Sequence, residues 1–187
     1  MNPLAWLIGL VFPACGFPPA DGLPTPRSMD VAHIVRPSSP NIAVAAPDGF
    51  APSPDPAGPT PPIDPARSTP PIGPAGSTPP IGIITPHYKI AADRLFALVQ
   101  EVAGGQPRTW QSAVYHGQPQ IHYVARGVEF NFPDLIVVQV EKDGRDGSLV
   151  IACSSGVYGR SDFGVNRRRV ETWLAALQTK LPSSSER

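Results

Sequence analysis

A chain of 187 residues with fifteen basic and fifteen acidic side chains carries no formal net charge. Nothing in that balance suggests a nucleic-acid-binding domain, which carries a strongly basic face to displace counterions from phosphates. Twenty-six prolines exclude a chain that is packed throughout, and two cysteines, Cys15 and Cys153, have the spacing of neither a disulfide framework nor a zinc site.

The first segment, residues 1–20, contains "LAWLIGLVF" from Leu4 to Phe12. It is shorter than the ~20 apolar residues a bilayer-spanning helix needs and has the length of the apolar centre of a secretion signal. No Lys or Arg precedes it. The following "FPAC" places Ala14 directly before Cys15, as in a bacterial lipobox, which makes Cys15 the candidate lipidation site. The favoured location is therefore export or membrane attachment at the cell envelope. A cytoplasmic chain with a buried N-terminal segment is the alternative.

Residues 21–83 read as a Pro-rich, low-complexity linker. Thirteen of the prolines fall between Pro52 and Pro86, where a nine-residue unit recurs as "TPPIDPARS" from Thr60, "TPPIGPAGS" from Thr69 and "TPPIG" from Thr78. Such a stretch buries too little apolar surface to offset the entropy of ordering, and its prolines fix φ and remove backbone donors. It is expected to be polyproline II or disordered, a semi-rigid spacer with a reach of ~3.1 Å per residue. The alternative is a protein-interaction segment, since "PPID" and "PIDP" carry the PxxP spacing that proline-binding modules recognise.

A globular domain is expected over residues 84–182, followed by a short disordered tail at 183–187. In "IAADRLFALVQEVAGG", Ala91, Leu95, Leu98, Val99 and Val102 form one apolar helical stripe, which Gly104 and Gly105 end through a left-handed cap. "RTWQSAVYH" and "IHYVARGVEF" flank a hairpin-length loop, "GQPQ". The simplest register sets Val114 opposite Tyr123, His122 opposite Tyr115, and Trp110, Val114, Ile121 and Tyr123 on one buried face. His116 and His122 then point to opposite sides, so no metal site is expected. "DLIVVQVEK" and "SLVIACSS" form a second pair around "DGRDG", apolar enough to lie centrally with both faces buried. Cys153 reads as a small core residue.

The last helix carries Val170, Trp173, Leu174, Leu177 and Leu181 on its apolar face, with Asn166 one turn earlier. Ser161, Asp162 and Gly164 supply the preceding turn. Arg167, Arg168 and Arg169 then occupy its first turn, against the helix dipole. Two arrangements compensate. Asp162, Glu171 or Glu129 pairs with the arginines as a structural clamp. Alternatively Ser161, Asp162, Asn166, Arg167 and Arg169 form an anion site, with a small anionic molecule or lipid headgroup as partner.

The expected architecture is α+β, an antiparallel sheet of four strands with two helices on one face in the order α-β-β-β-β-α. "GRSDFGVNRRRVETWLAAL", "FNFPDLIVVQV", "RPSSPN" and "APDG" resemble the uncharacterised bacterial family called domain of unknown function 1499. The resemblance spans Ile84 to Leu181 and the short segment Arg36 to Gly49, and implies no agreed activity. No nucleophile elbow, zinc-protease motif or phosphate loop is present, so neither catalytic residues nor a cofactor is assigned. The reading is a noncatalytic, envelope-associated binding or support domain. A hydrolase built on Ser161 and Asp162 with a histidine such as His122 is the alternative.

Overall fold

The computed structural model describes residues 23, 28–29, 31, 41–50, 82–159 and 161–182. Their elements are β1 (Ile42–Pro47), β2 (Ile83–Thr85), α1 (Ala92–Gly104), β3 (Thr109–Tyr115), β4 (Gln120–Arg126), β5 (Pro133–Asp143), β6 (Gly147–Gly156) and α2 (Val165–Lys180). The sheet order is β2-β1-β6-β5-β4-β3. The class is α+β, but the sheet has six strands and is mixed rather than four-stranded and antiparallel. Two strands lie outside the expected set. β1 pairs antiparallel to β6, with Val44 opposite Cys153, and parallel to β2, with Ala45 opposite Ile83. Alanine-rich, proline-bounded β1 and three-residue β2 carry no apolar alternation, and only their distant partners make them strands.

The central hairpin follows directly from its sequence. β5 and β6 close at Asp143 opposite Gly147, with Gly144 at φ 66 in the turn. Even-numbered residues of β5, such as Ile136 and Val138, face the helices, while Val137 faces the other way with Ile151. Both faces are buried, which is why the run reads as continuously apolar.

In the outer hairpin the turn takes residues 116–119, so Val114 stands opposite Ile121 and Ala113 opposite His122. The shift is two residues from the simplest register, which preserves the faces. A bulge between Gln111 and Ala113 then reverses Trp110, which sits opposite Val124 on the face away from the helices rather than beside Val114.

α1 buries Ala92, Leu95, Val99, Val102 and Ala103, while Ala91 stands outside as the extended N-cap. Gly105 closes the helix at φ −82, so its C-cap is not left-handed as the double glycine suggested. α2 buries Asn166, Val170, Trp173 and Leu177. Both helices pack on one face, with Trp173 edge-on to Tyr123 at 5.4 Å. Each fully buried aliphatic side chain of this layer contributes about 1.5–3 kcal/mol. On the opposite face Val31, Ala46, Val137 and Ile151 cluster with Met29 and Phe50.

This topology changes the reading of the proline repeat. Residues 51–81 lie outside the described residues, but β1 and β2, on either side of them, are neighbours in one sheet. The repeat is thus an insertion between adjacent strands, and its length does not set the distance from the N-terminal segment to the sheet. Deleting the two units Thr60–Ser77 is expected to leave cooperative unfolding intact. Halving a loop changes closure entropy by only about 0.6 kcal/mol, in the stabilising direction. A urea titration of the deletion variant that lost its cooperative transition would refute this.

Candidate functional site

β4 ends and β5 begins at the same end of the sheet where β6 finishes and α2 starts, and the motif segments meet there. Asp162, in the turn before α2, accepts the backbone N–H groups of Gly164 at 2.9 Å and Asn166 at 2.7 Å. Its charge thereby offsets the positive helix start, while Gly164 takes the left-handed conformation the turn requires. Ser161 is exposed and accepts the Phe163 N–H at 3.3 Å.

Three consecutive helical residues splay by about 100° each, and the arginines separate accordingly. Arg167 pairs with exposed Glu171 at 2.8 Å, one turn on. Arg168 donates to the Phe163 carbonyl at 3.0 Å. Arg169 turns inward, and its Nη2 meets Asp134 Oδ2 at 2.6 Å with both side chains nearly buried. Its Nη1 donates to Asn166 Oδ1 at 2.7 Å and Ser154 Oγ at 3.1 Å. The Ser154 hydroxyl donates to Asn166 Oδ1 at 2.5 Å. Asn166 Nδ2 then donates to Asn41 Oδ1 at 3.1 Å, and Asn41 Nδ2 to the Tyr158 carbonyl at 2.9 Å. Asn41 lies so close to Gly156 that a Cβ there would stand 2.2 Å from its Nδ2, so any larger residue would displace the Asn41 amide from the network.

Burial pushes the Asp134 carboxyl above its ordinary value, against the opposing pull of the Arg169 charge and hydrogen bonds. Among the described residues the side-chain partners of the Ser154 hydroxyl are the Arg169 guanidinium and the Asn166 amide, neither of which can take its proton. Ser161, Asp162 and His122 do not assemble, because His122 lies on the face of the sheet away from the helices. The five residues of the candidate anion site are neighbours in the chain, yet Arg167 and Arg169 hold different acids of the protein itself. Asn41, Asp134 and Ser154 carry no local signal in the sequence, since each joins the network through a partner more than ten residues away.

"RPSSPN" brings Asn41, "FNFPD" brings Asp134, and "GRSDFGVNRRRV" brings Asn166 and Arg169 to this one network. The family model described as "Protein of unknown function (DUF1499)" matches residues 36–177. The chain belongs to the DUF1499 family. A search of curated proteins finds no match. In this DUF1499 chain the matched span takes in β1, the insertion and nearly all of α2.

A second polar network lies on the opposite face of the DUF1499 sheet. Gln120 Oε1 accepts from the Met29 N–H and from His122, each at 2.7 Å, which places the His122 proton on Nε2. Gln120 Nε2 donates to the Met29 carbonyl at 2.6 Å and to Gln139 Oε1 at 2.8 Å, and Gln139 donates onward to Glu141. Burial lowers the His122 pKa to about 4 and raises that of Cys153 to about 12, so the thiol stays protonated and fills space. His116 sits exposed in the turn. Among the described residues no group of three His, Cys, Asp or Glu side chains could hold a metal ion, and no helix is long and apolar enough to cross a membrane. Cys15 lies outside the described residues.

Proposed function

We propose that this DUF1499 chain is a noncatalytic binding or support domain of the cell envelope, attached through its N-terminal segment, with the network at the start of α2 as its structural clamp. The observation that carries the clamp is that the Arg169 guanidinium is already occupied by Asp134, Asn166 and Ser154. A site held open for a ligand would leave that fork free. The envelope assignment rests on the Leu4–Phe12 apolar run and on Cys15 behind Ala14.

Two measurements test the two halves separately. In a melting screen against inorganic phosphate, glycerol phosphate and small carboxylates, the clamp predicts no upward shift of the wild-type midpoint, a large fall for Arg169→Ala and little change for Arg167→Ala. An anion that raised the midpoint, with the rise lost in both variants, would establish a ligand site instead, since a ligand at 100 times its dissociation constant adds ~2.7 kcal/mol. For location, the wild-type chain is expected to fractionate with membranes and Cys15→Ser to release it. Identical soluble behaviour of both would remove the envelope assignment and leave the clamp untouched.

A further inference from the structure

The same end of the sheet breaks two local rules at once. Of six large hydrophobic residues exposed among the described residues, four flank the helix side of this end: Val128 at 85% and Phe130 at 54% in the β4–β5 loop, and Phe163 at 87% and Val165 at 38% at the start of α2; Leu135, at 37%, opens β5 on the face away from the helices. Scattered single exposures need no explanation, but this grouping does. Phe163 moreover holds φ at 52, a conformation that bulky side chains avoid and that glycine would take without steric cost. Asn131, in the β4–β5 loop beside Phe130, also has positive φ, at 56. Among the described residues the Phe163 ring belongs to neither buried cluster. Strain and exposure at one side chain point to a role outside the monomer.

The charges at this end identify the occupant. Glu129 stands between Val128 and Phe130 and makes no ion pair among the described residues. Arg168, bonded to the Phe163 carbonyl, likewise pairs with no acid among them. One loop therefore offers apolar side chains with a negative charge, and the turn before α2, at the same end of the sheet, offers an aromatic ring with a positive one. Glu129 at the loop tip and Arg168 at the start of α2 carry opposite charges, so together they offer an anionic membrane no net attraction. A two-fold axis instead sets the loop of one copy against the turn of the other and repeats the contact in reverse, as an isologous interface requires. We infer that this end is a self-association surface, on which a second copy of the chain packs Phe130 against Phe163 and Glu129 against Arg168. A dimer burying on the order of 1,000 Å² in total needs about half of that from each copy, a scale suited to two loops and the first turn of a helix. This goes beyond the envelope and clamp reading and does not depend on it.

Sedimentation equilibrium of the full chain from 1 to 200 μM (roughly two decades, chosen to bracket micromolar affinity) tests the inference. The expected mass rises toward that of two copies. Glu129→Arg and Arg168→Glu should each weaken association by tenfold or more, and the double reversal, E129R with R168E, should restore it to within about threefold. Phe163→Gly relieves the positive φ while removing the ring, so its melting midpoint should hold or rise as association falls. A purely structural phenylalanine would show the opposite. A constant monomer mass, a dimer indifferent to both single reversals, or a double reversal weaker than either single one would overturn the proposal. So would a monomer that floats with anionic vesicles through Phe163, which would make the surface a lipid contact.

Discussion

Replacing Asp134 by alanine is expected to cost about 3–5 kcal/mol, because it strands the Arg169 guanidinium without a counter-charge in a nearly buried site. That is a large share of the ~5–15 kcal/mol by which a domain of this size is stable. The guanidinium cannot shed its proton to escape the cost. Its other partners, Ser154 and Asn166, are neutral and supply hydrogen bonds without charge.

The reciprocal change, Arg169→Ala, behaves differently with pH. The Asp134 carboxyl is already pushed upward by burial, and removing the cation removes the force opposing that shift. A carboxyl whose folded value lies above its unfolded value binds its proton more tightly in the native state. The native state is then favoured most below the ordinary carboxylate range, and the advantage is lost as pH rises through the raised value. The deficit of Arg169→Ala relative to wild type should therefore shrink between pH 7 and pH 5, while that of Asp134→Ala should not shrink through this pair. Urea midpoints at the two pH values measure both. Equal, pH-independent deficits under 1 kcal/mol would show the pair to be peripheral to the fold, as exposed pairs are.

The same pair shows how far the sequence can be read. The apolar face of α2 and the β5–β6 hairpin are local patterns, repeats of three, four or two residues, and they appear where the spacing puts them. Even the divergence of the three arginines is a consequence of helical geometry, since residues one and two apart do not share a face. Asp134 is not legible in this way. It stands between Pro133 and an apolar run, where an acid resembles a turn residue, and its partner is 35 positions on. Asn41 reads as the end of a proline-rich stretch, yet its side chain lies on Gly156 and binds Asn166, 125 positions away. β1 and β2 are strands for the same nonlocal reason. Phe163 is the opposite case: Gly164 signals a turn, but nothing in the string indicates that the aromatic neighbour also adopts positive φ.

His122 makes the second large effect, and it acts in acid. Its Nε2 proton is committed to Gln120, whose carbonyl oxygen is fixed as an acceptor by the Met29 N–H. Charging the ring requires a second proton on Nδ1, for which no acceptor is found among the described residues. The groups around it are the Tyr115 ring, edge-on at 5.2 Å, and Glu141, reached only through Gln120 and Gln139. Desolvation therefore dominates and lowers the pKa to about 4. The unfolded chain, with an ordinary value near 6.5, takes up the proton that the native chain refuses. Stability from the neutral ring is fully present above pH 6.5 and is lost as pH falls toward 4. Between pH 7 and pH 5 the loss from this group amounts to about 2 kcal/mol, from ~1.4 kcal/mol per pKa unit. His122→Gln should be weaker than wild type at pH 7, because it gives up the ring contact with Tyr115. Its stability should nonetheless fall about 2 kcal/mol less than that of wild type between the two pH values, because every other titrating group is shared. Parallel losses in the two proteins would mean that His122 does not titrate differently on unfolding. The Met29 contact would then rest on packing against Val137 and Ile151 and on the Gln120 amide alone, with no charge penalty enforcing it.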